Sequence, residues 1–292
     1  MKKRTETLAA GMKTLREKRP LIHCITSPIA INDCANSALA IGARIICAEH
    51  PEEVSEITGM SSALGVSLAN ITDARAESVL ISGRTAWEKN IPSVIDAVGI
   101  TCSDLRRDVF RQYVQNCHPA VIKGNDSEIL EAFHLEEKRD HDEKAGIDVA
   151  LSDQVRHDSP SSQKRMGEIT RKYAESTGSV ICASGEVDVI STAKTTVYLE
   201  NGTAGMADVT GTGCMLNCLI AAYLSVLSPL DAAVLATALM GIAGEYAEQE
   251  CMKKSGGNRI GLGSFHISLL DGLSLINADD LVQKIRIHEV SL

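Results

Sequence analysis

Alternation between short apolar runs and segments of helical period is the feature of this sequence that most restricts its fold. Apolar residues in the short runs are consecutive, which is typical of strands buried on both faces of a parallel sheet. The strands predicted from these runs are Leu21–Thr26, Arg44–Ala48, Gly65–Asn70, Ser93–Val98, Ala120–Lys123 and Ser179–Ala183. The helical segments between them lie near residues 31–42, 73–90, 103–117 and 166–177. The pattern predicts an α/β fold with a mostly parallel central sheet covered by helices on both faces.

The rest of the sequence adds elements to this sheet without indicating a second domain. The added elements are a helix over residues 2–18, a hairpin of Asp188–Thr192 and Thr196–Glu200, and long apolar helices near 213–227 and 230–252. His134 to Gln163 is charged and poor in large apolar residues, so we expect an exposed loop or insertion there. We find no internal repeat and predict a single domain over residues 1–292.

Charge and aromatic content argue against nucleic acid as a partner. The formal net charge is −9, the isoelectric point is near 5.4, and aromatic residues make up only 3% of the chain. Phosphate backbones are bound by basic surfaces, and unpaired bases stack on aromatic side chains. This sequence supplies neither in quantity, and we expect no nucleic acid to bind.

The sequence also favours a cytoplasmic protein that does not enter a membrane. The uncharged stretch Val209–Leu230 is interrupted by glycine, asparagine, serine and proline, so its continuous apolar part is shorter than the ~20 residues of a membrane span. Nine cysteines occur without a Cys-x-x-Cys pair, which favours reduced, buried thiols. The charged segment Met1–Arg4 is not followed by the apolar stretch of a signal peptide.

The segment Asp208-Val-Thr-Gly-Thr-Gly-Cys214, which leads into an apolar helix, is the most informative motif. Common signatures such as Gly-x-x-x-x-Gly-Lys-Ser/Thr, Gly-x-Gly-x-x-Gly and Gly-x-Ser-x-Gly are absent. Backbone N–H groups at residues 211–214 would project from the helix amino terminus, where the helix dipole stabilises an anion. In that first turn we expect a lowered pKa for the Cys214 thiol. The local pattern is equally explained by a flexible turn before a core helix, with Cys214 as a small buried residue.

Thr210-Gly-Thr-Gly-Cys214 resembles the anion-hole motif of the hydroxyethylthiazole kinases, a branch of the ribokinase-like superfamily. Most members of that superfamily carry an aspartate at the cysteine position as catalytic base. Other segments resemble the family in the same order over roughly residues 14–285. They are Pro20–Thr26, Asn32–Asn36, Leu39–Ala43, Pro51–Val54, Gly124–Ile129, Ser184–Ile190 and Gly263–Ile267.

The resemblance implies a ribokinase-like three-layer sandwich and a defined reaction. Members of the family transfer the γ-phosphoryl group of ATP to the primary alcohol of 4-methyl-5-(2-hydroxyethyl)thiazole, a step of thiamine salvage. The expected ligands are therefore the thiazole alcohol, ATP as co-substrate and Mg²⁺. The resemblance also implies a homotrimer whose active sites are shared between neighbouring subunits.

The resemblance assigns catalysis to the glycine-rich loop. Gly211, Thr212 and Gly213 would hold the transferring phosphoryl group, and Cys214 would face the substrate hydroxyl. Gly211 would also contact the thiazole, together with Cys47, whose position in the family is usually a methionine. For Cys47, a buried strand thiol is an equally good interpretation.

The resemblance assigns metal and nucleotide to residues at the ends of predicted strands. Asp96 and Glu128 would organise Mg²⁺, largely through water, which suits a hard cation that dehydrates reluctantly. The residues alone are also explained by a helix N-cap at Asp96 and an ordinary first-turn acid at Glu128. Lys123, Asn125 and Ser184 would contact ATP. Lys123 replaces the family's usual arginine and loses its planar fork, and Ser184 replaces the usual threonine.

Departures from the family pattern cluster near the expected ligand loops and leave two alternatives open. The usual Asp-Pro-Val-Gly run is Asp96-Ala-Val-Gly99, followed by Thr101-Cys-Ser103, and the usual Asn-Ile-Gly-Thr run is Ser67-Leu-Ala-Asn70. Asp208 stands where a basic residue is common. The alternatives are a kinase for another small alcohol, such as a hydroxymethylpyrimidine or a sugar, and a catalytically weak thiazole- or nucleotide-binding protein.

Overall fold

The computed structural model of the protein describes residues 2–141, 160–256 and 259–291, which contain nine strands and eleven α-helices. The strands are β1 (Leu21–Ile25), β2 (Arg44–Ile46), β3 (Ala63–Ser67), β4 (Ser93–Asp96), β5 (Val121–Asn125), β6 (Val180–Ser184), β7 (Asp188–Ser191), β8 (Thr195–Leu199) and β9 (Ile287–Ser291). The helices are α1 (Lys2–Lys18), α2 (Ile31–Ala40), α3 (Val54–Met60), α4 (Asp73–Glu88), α5 (Asp104–Cys117), α6 (Asp126–His141), α7 (Pro160–Thr177), α8 (Thr212–Leu224), α9 (Pro229–Lys254), α10 (Leu262–Leu275) and α11 (Ala278–Lys284).

The strands form one sheet in the order β2-β1-β3-β4-β5-β6-β7-β8-β9. Pairs from β2 to β6 are parallel, and pairs from β6 to β9 are antiparallel. The mostly parallel sheet and the appended β7–β8 hairpin are thus confirmed. Ser67 pairs with Asp96, and Asp96 pairs with Lys123, across β3, β4 and β5. Residues paired in register share a face, so these three polar side chains form a row on one face of the sheet.

Helices cover both faces of the sheet and bury a separate core on each. One core lies beneath α1, α2, α8, α9, α10 and α11, with Leu219 and Leu235 among its members. The other lies beneath α3, α4, α5, α6 and α7, with Val79 and Phe110 among its members. This arrangement confirms the predicted three-layer sandwich. The prediction of a single domain stays a prediction.

The third predicted strand, Gly65–Asn70, is displaced in the structure, where β3 begins at Ala63 and ends at Ser67. Asn70 has a φ of 51°, in the left-handed region that a strand cannot contain. The Ser67 hydroxyl accepts a hydrogen bond from the backbone N–H of Ala69, which closes a turn directly after the strand. The strand therefore stops where its last side chain bonds its own backbone.

The predicted loop from His134 to Gln163 is wrong at both ends, because α6 continues to His141 and α7 begins at Pro160. Residues 142–159 lie outside the described part of the chain. Glutamate, lysine and arginine are good helix formers, so a charged sequence without large apolar residues still extends a helix whose start is packed. Four further elements, α3, α10, α11 and β9, were not predicted from the sequence.

Among the described residues, α9 has the length and composition of a membrane-crossing helix. However, 78% of its most apolar 18-residue window is buried inside the protein. Helix α8 is similarly enclosed, with every residue from Cys214 to Leu224 buried. Packing against the sheet explains the apolar character of both helices.

Truncation inside α8 should cost far more stability than truncation on an exposed helix face. Leu219 is fully buried in α8, whereas Leu105 in α5 is 52% exposed. We expect Leu219→Ala to lower the free energy of unfolding by about 2–5 kcal/mol. The control Leu105→Ala should change it by about 0.5 kcal/mol or less. Urea denaturation measures both, and equal losses would contradict this packing.

Candidate active site

The polar residues selected from the sequence gather at one edge of the sheet. Asp96 ends β4, Asn125 ends β5 and Ser184 ends β6. Because these strands are parallel, their carboxyl ends lie at the same edge, where α/β proteins commonly bind ligands. The amino terminus of α8 lies at this edge too, because Cys214 Sγ lies 3.9 Å from the hydroxyl of Ser67, which ends β3. The candidate site is therefore built from three strand ends and one helix start.

The loop that begins α8 requires glycine. Gly211 is the N-cap residue and has a φ of 90°, which favours glycine. A Cβ atom at this position would also lie 3.0 Å from the Cβ of Ala30. The Thr212 hydroxyl donates to the carbonyls of Met206 and Val209, each at 3.4 Å, and holds the preceding turn. Backbone N–H groups at the start of α8 are thereby presented toward the sheet edge.

Lys123 lies beneath this loop and forms a buried ion pair with Asp96. The Lys123 Nζ lies 3.0 Å from Asp96 Oδ1, and both residues are at most 3% exposed. A Cβ atom on Gly213 would lie 3.4 Å from the same Nζ. The Lys123 ammonium thus lies next to the glycine-rich loop. In the described part of the chain, Asp96 engages one of the three N–H groups of Lys123, and no further hydrogen-bond partner of the ammonium is found.

Burial and the ion pair shift the pKa in opposite directions at each of these two groups. Burial works to lower the pKa of Lys123, but the Asp96 carboxylate outweighs it, so the pKa is raised and the ammonium stays charged. Burial raises the pKa of Asp96, with Lys123 opposing this effect and Glu128 adding to it. Asp96 and Glu128 are therefore close enough to interact. Ser103, rather than Asp96, caps α5, which removes the N-cap interpretation of Asp96.

Glu128 is held by backbone N–H groups on both of its oxygens. Its Oε2 accepts from the N–H of Asn125 at 2.8 Å, and its Oε1 accepts from the N–H of Gly99 at 2.9 Å. The Asn125 Oδ1 accepts in return from the N–H of Glu128 at 2.9 Å, which completes a capping box at the start of α6. The structural role considered for Glu128 as a first-turn acid is thus present. This capping role leaves Glu128 able to bind a further ligand, since each of its carboxylate oxygens retains a lone pair.

The donor set fits Mg²⁺ only as a water-mediated site. Asp96 and Glu128 offer the hard oxygen ligands that Mg²⁺ prefers, but each carboxylate already bonds a protein group. Within residues 2–141, 160–256 and 259–291, no cluster of three or more histidine, cysteine, aspartate or glutamate side chains could hold a metal ion directly. A hydrated ion needs no such cluster.

Cys214 lies in the first turn of α8, as predicted, but its pKa shifts opposite to the expectation. The thiol is only 8% exposed, and burial raises its pKa, with the Asp96 carboxylate adding to the rise. The lowered pKa predicted from the helix start is therefore wrong, because burial disfavours the thiolate more strongly. The raised pKa favours the thiol over the thiolate at neutral pH.

Ser67 belongs to this site, although it was not selected from the sequence. Its Oγ lies 3.5 Å from Asp96 Oδ2 and 3.9 Å from Cys214 Sγ. Ser67 therefore connects the end of β4 to the start of α8. The only sequence signal was its place in the altered run Ser67-Leu-Ala-Asn70, because nothing local indicates which helix packs over a strand end.

A cleft of about 320 Å³ opens at the carboxyl ends of β5 and β6, between these strands and helices α6 and α7. Asn125 and Ser184 line it, together with the carboxylates of Asp126 and Glu186. The Ser184 hydroxyl donates to the carbonyl of Gly124, across the two strand ends. The three predicted nucleotide contacts therefore divide into two at the cleft and one, Lys123, at the loop.

Cys47 lies at the edge of the sheet, directly after β2, and is partly buried. Burial raises its pKa to about 11, and Cys34 contributes to the rise. Cys34 also raises the pKa of Cys214, so it lies within electrostatic range of both thiols. No direct contact between Cys47 and Gly211 is found in the described residues. The paired role of these two residues at the thiazole stays a prediction.

His23 is a structural residue within β1. Its Nε2 donates to the carbonyl of Ala48 at 3.0 Å, which leaves Nδ1 to accept from the Thr58 hydroxyl at 2.8 Å. Burial lowers the pKa of His23 and favours this neutral form. The ring therefore joins β1 to the segment after β2 and to α3.

The sheet, its two helical layers and the glycine loop at a helix start define a ribokinase-like α/β protein. A ribokinase-like superfamily protein from Enterococcus faecalis shares the fold, with a TM-score of 0.58 at 12% identity over 88% of each chain. A model of the hydroxyethylthiazole kinase family matches residues 12–279, and the chain belongs to this family. Hydroxyethylthiazole kinase 2 of Clostridium botulinum is 45% identical over 94% of this chain and 98% of its own length. The structure of a hydroxyethylthiazole kinase protein from Pyrococcus horikoshii aligns with a TM-score of 0.84 at 27% identity, over 98% of this chain and all of that one.

A buried carboxyl beside the cleft should make stability depend on pH. Burial raises the pKa of Asp188 to about 7, although the N–H of Gly185 opposes the shift. The folded protein therefore holds this proton more tightly than the unfolded chain, and stability falls as pH rises from about 4 to about 7.

Asp188→Asn removes this titration and keeps an oxygen that can accept from Gly185. The free energy of unfolding of Asp188→Asn minus that of the parent protein should be roughly 1–4 kcal/mol larger at pH 8 than at pH 4.5. Urea denaturation at both pH values measures the difference. A gap between the two proteins that is the same at both pH values would contradict this assignment.

Proposed function

We propose that this protein transfers the γ-phosphoryl group of ATP to the primary alcohol of 4-methyl-5-(2-hydroxyethyl)thiazole, a step of thiamine salvage. The observation that carries the proposal is the glycine loop of α8 above the charged Lys123, in a chain of the hydroxyethylthiazole kinase family. Phosphoryl transfer has a loose transition state with charge spread over the phosphoryl oxygens. Backbone N–H groups and a buried ammonium are suited to stabilising that charge.

The position of the cleft suggests how ATP would lie. Asn125 and Ser184 would contact the nucleoside end in the cleft, where two carboxylates disfavour phosphate. The polyphosphate would extend toward α8, where Lys123 has N–H groups beyond its bond to Asp96. Gly211, Thr212 and Gly213 would hold the γ-phosphoryl group. This orientation assigns each predicted contact a separate part of one nucleotide.

Asp96 and Glu128 would hold Mg²⁺ through water at the edge between cleft and loop. The ion, when bound, would neutralise charge on the polyphosphate. Lys123 would keep the Asp96 carboxylate in place, and the N–H groups of Gly99 and Asn125 would do the same for Glu128. The carboxylates are thus preorganised by the protein itself.

Cys214 would face the acceptor hydroxyl as a hydrogen-bonding thiol rather than as a thiolate. Its raised pKa makes it a poor base at neutral pH. A dissociative transition state requires little deprotonation of the acceptor before the P–O bond breaks. A thiol that orients the hydroxyl is sufficient for such a reaction. The bond between the γ-phosphorus and the β–γ bridging oxygen breaks, the acceptor oxygen bonds to that phosphorus, ADP leaves, and the acceptor's proton passes to a phosphoryl oxygen or to solvent.

We also propose that the protein works in the cytoplasm as a homotrimer with shared active sites. Ile29 and Leu39 are 65% and 52% exposed, and Ile29 directly precedes Ala30, which contacts the glycine loop. Burial of these side chains by a neighbouring subunit would place a subunit boundary beside the thiazole. Light scattering after size-exclusion chromatography tests this part, and a stable monomer at assay concentrations would refute it.

A coupled ADP-release assay with Mg-ATP and the thiazole alcohol tests the proposed reaction. We expect kcat/KM for the thiazole to exceed that for a hydroxymethylpyrimidine or a sugar alcohol by at least about 100-fold. A higher value for either competitor would identify a different acceptor. Tight thiazole binding in calorimetry without ADP release would indicate a binding protein instead.

Replacing Cys214 by serine should reduce turnover moderately. Because the thiol orients the acceptor and is not the base, we expect kcat of Cys214→Ser to fall about 5- to 20-fold, below the 100- to 10,000-fold loss typical of a general base. Steady-state ADP release measures kcat. Complete loss of activity in a folded variant, checked by circular dichroism, would contradict this role.

Gly211→Val should be more damaging than Cys214→Ser because it displaces the loop itself. Its side chain would meet Ala30 and adopt a disfavoured φ, so we expect kcat/KM to fall by about 100-fold or more. Gly256 has a φ of 69°, and no atom of the described residues lies within 4 Å of the place a Cβ atom would take, so Gly256→Val is a control for backbone strain. Equal losses in the two variants would show that the loop geometry is not responsible.

A further inference from the structure

The hydroxyl of Ser67 has three neighbours, and their chemistry determines how its hydrogen bonds are arranged. The backbone N–H of Ala69 lies 3.3 Å away and can only donate. Asp96 Oδ2 lies 3.5 Å away and, as an ion-paired carboxylate, can only accept. A serine hydroxyl has one proton to donate and two lone pairs that accept. Its proton is therefore directed to Asp96, and one lone pair is occupied by Ala69.

The remaining lone pair faces the third neighbour, Cys214 Sγ, at 3.9 Å. The distance alone allows either group to donate. With the hydroxyl proton directed to Asp96, the remaining lone pair can only receive, and the Cys214 S–H would then point toward Ser67. The sulfur lone pairs then point away from Ser67 and remain available to the substrate side. Ser67 is 4% exposed, which keeps water from competing for these bonds.

We propose that Ser67 is a positioning residue that fixes the Cys214 thiol as a hydrogen-bond acceptor for the acceptor alcohol. The Ser67 hydroxyl connects Cys214 to the Asp96–Lys123 pair, which is anchored in β4 and β5. The orientation of the thiol is thereby set by the sheet rather than by α8 alone. This proposal rests on the proposed phosphotransferase function, and its spectroscopic test does not.

The register of the sheet and the seating of α8 support the proposal independently of the distances around the Ser67 hydroxyl. Ser67, Asp96 and Lys123 are direct partners across three parallel strands, so they face the same side of the sheet. On that side, Asn217 of α8 donates to the carbonyl of Val66 at 3.1 Å, one turn after Cys214. This contact holds the first turns of α8 over the end of β3. The approach of Cys214 to Ser67 follows from the backbone arrangement.

The kinetic test compares Ser67→Ala with variants that separate its possible roles. We expect kcat of Ser67→Ala to fall about 10-fold, with KM for ATP within about twofold of the parent value. Ser67→Thr keeps the hydroxyl and should recover most of the loss. Ser82→Ala removes an equally buried hydroxyl in α4, away from the site, and should leave kcat unchanged. Loss of kcat in Ser82→Ala, or none in Ser67→Ala, would overturn the proposal.

A double-mutant cycle tests whether Ser67 acts through Cys214. If it does, Ser67→Ala/Cys214→Ala should be about as slow as Cys214→Ala alone, because the group that Ser67 orients is already missing. Losses that multiply would show that the two side chains act independently and would overturn the proposal. Thermal unfolding by circular dichroism confirms that each variant is folded.

Infrared spectroscopy of the S–H stretch tests the hydrogen bond without any turnover. Donation to Ser67 lowers the stretching frequency of the Cys214 S–H, and Cys214→Ala identifies that band by its disappearance. In Ser67→Ala we expect the band to shift to higher frequency, as for a free thiol. An unshifted band would overturn the proposal. A shifted band in a protein without thiazole-dependent ADP release would refute the proposed function and leave the hydrogen bond established.

Discussion

The ion pair between Lys123 and Asp96 is the interaction on which the geometry of the site depends. Neither charge could be buried alone, since an unpaired ion in a protein interior costs several kcal/mol. Each residue therefore fixes the other, and together they fix the ends of β4 and β5 beneath the glycine loop. The pair also leaves ammonium N–H groups beneath the amino terminus of α8, close to Gly213.

The glycine loop is held in position by the close packing of the buried helix α8 against the sheet. The sheet approaches the helix closely at Gly65, where an added Cβ would lie 3.2 Å from the Cβ of Ala221 and 3.2 Å from the sulfur of Cys24. Asn217 adds a hydrogen bond from the helix to β3. Close packing of this kind transmits small displacements, so a change in the core beneath α8 would move the amides that are proposed to hold the phosphoryl group. The contacts that stabilise α8 would then also set the geometry of that loop.

Much of the fold could be predicted from local pattern, because consecutive apolar runs identify buried parallel strands. The glycine loop, Asp96 and Glu128 could be located through family resemblance, but their partners could not. The pKa of Cys214 depends on how deeply α8 is buried, which is a tertiary property. Ser67 became visible only through the register of β3 against β4. The end of β3 was missed because the turn after Ser67, in which its hydroxyl accepts from the N–H of Ala69 and Asn70 is left-handed, has no signal in the apolar pattern.

The contact between Gly211 and Ala30 ties the two sides of the site together. Ala30 directly precedes α2, on the side where the acceptor is proposed to bind, and Gly211 begins the loop proposed to hold phosphate. A larger side chain at position 30 would push against Gly211. With the proposed roles, a change of acceptor preference made at position 30 would also disturb the loop that holds the phosphoryl group. Substrate choice on this scaffold would then change more readily at residues farther from the loop, where side-chain size can vary without moving Gly211.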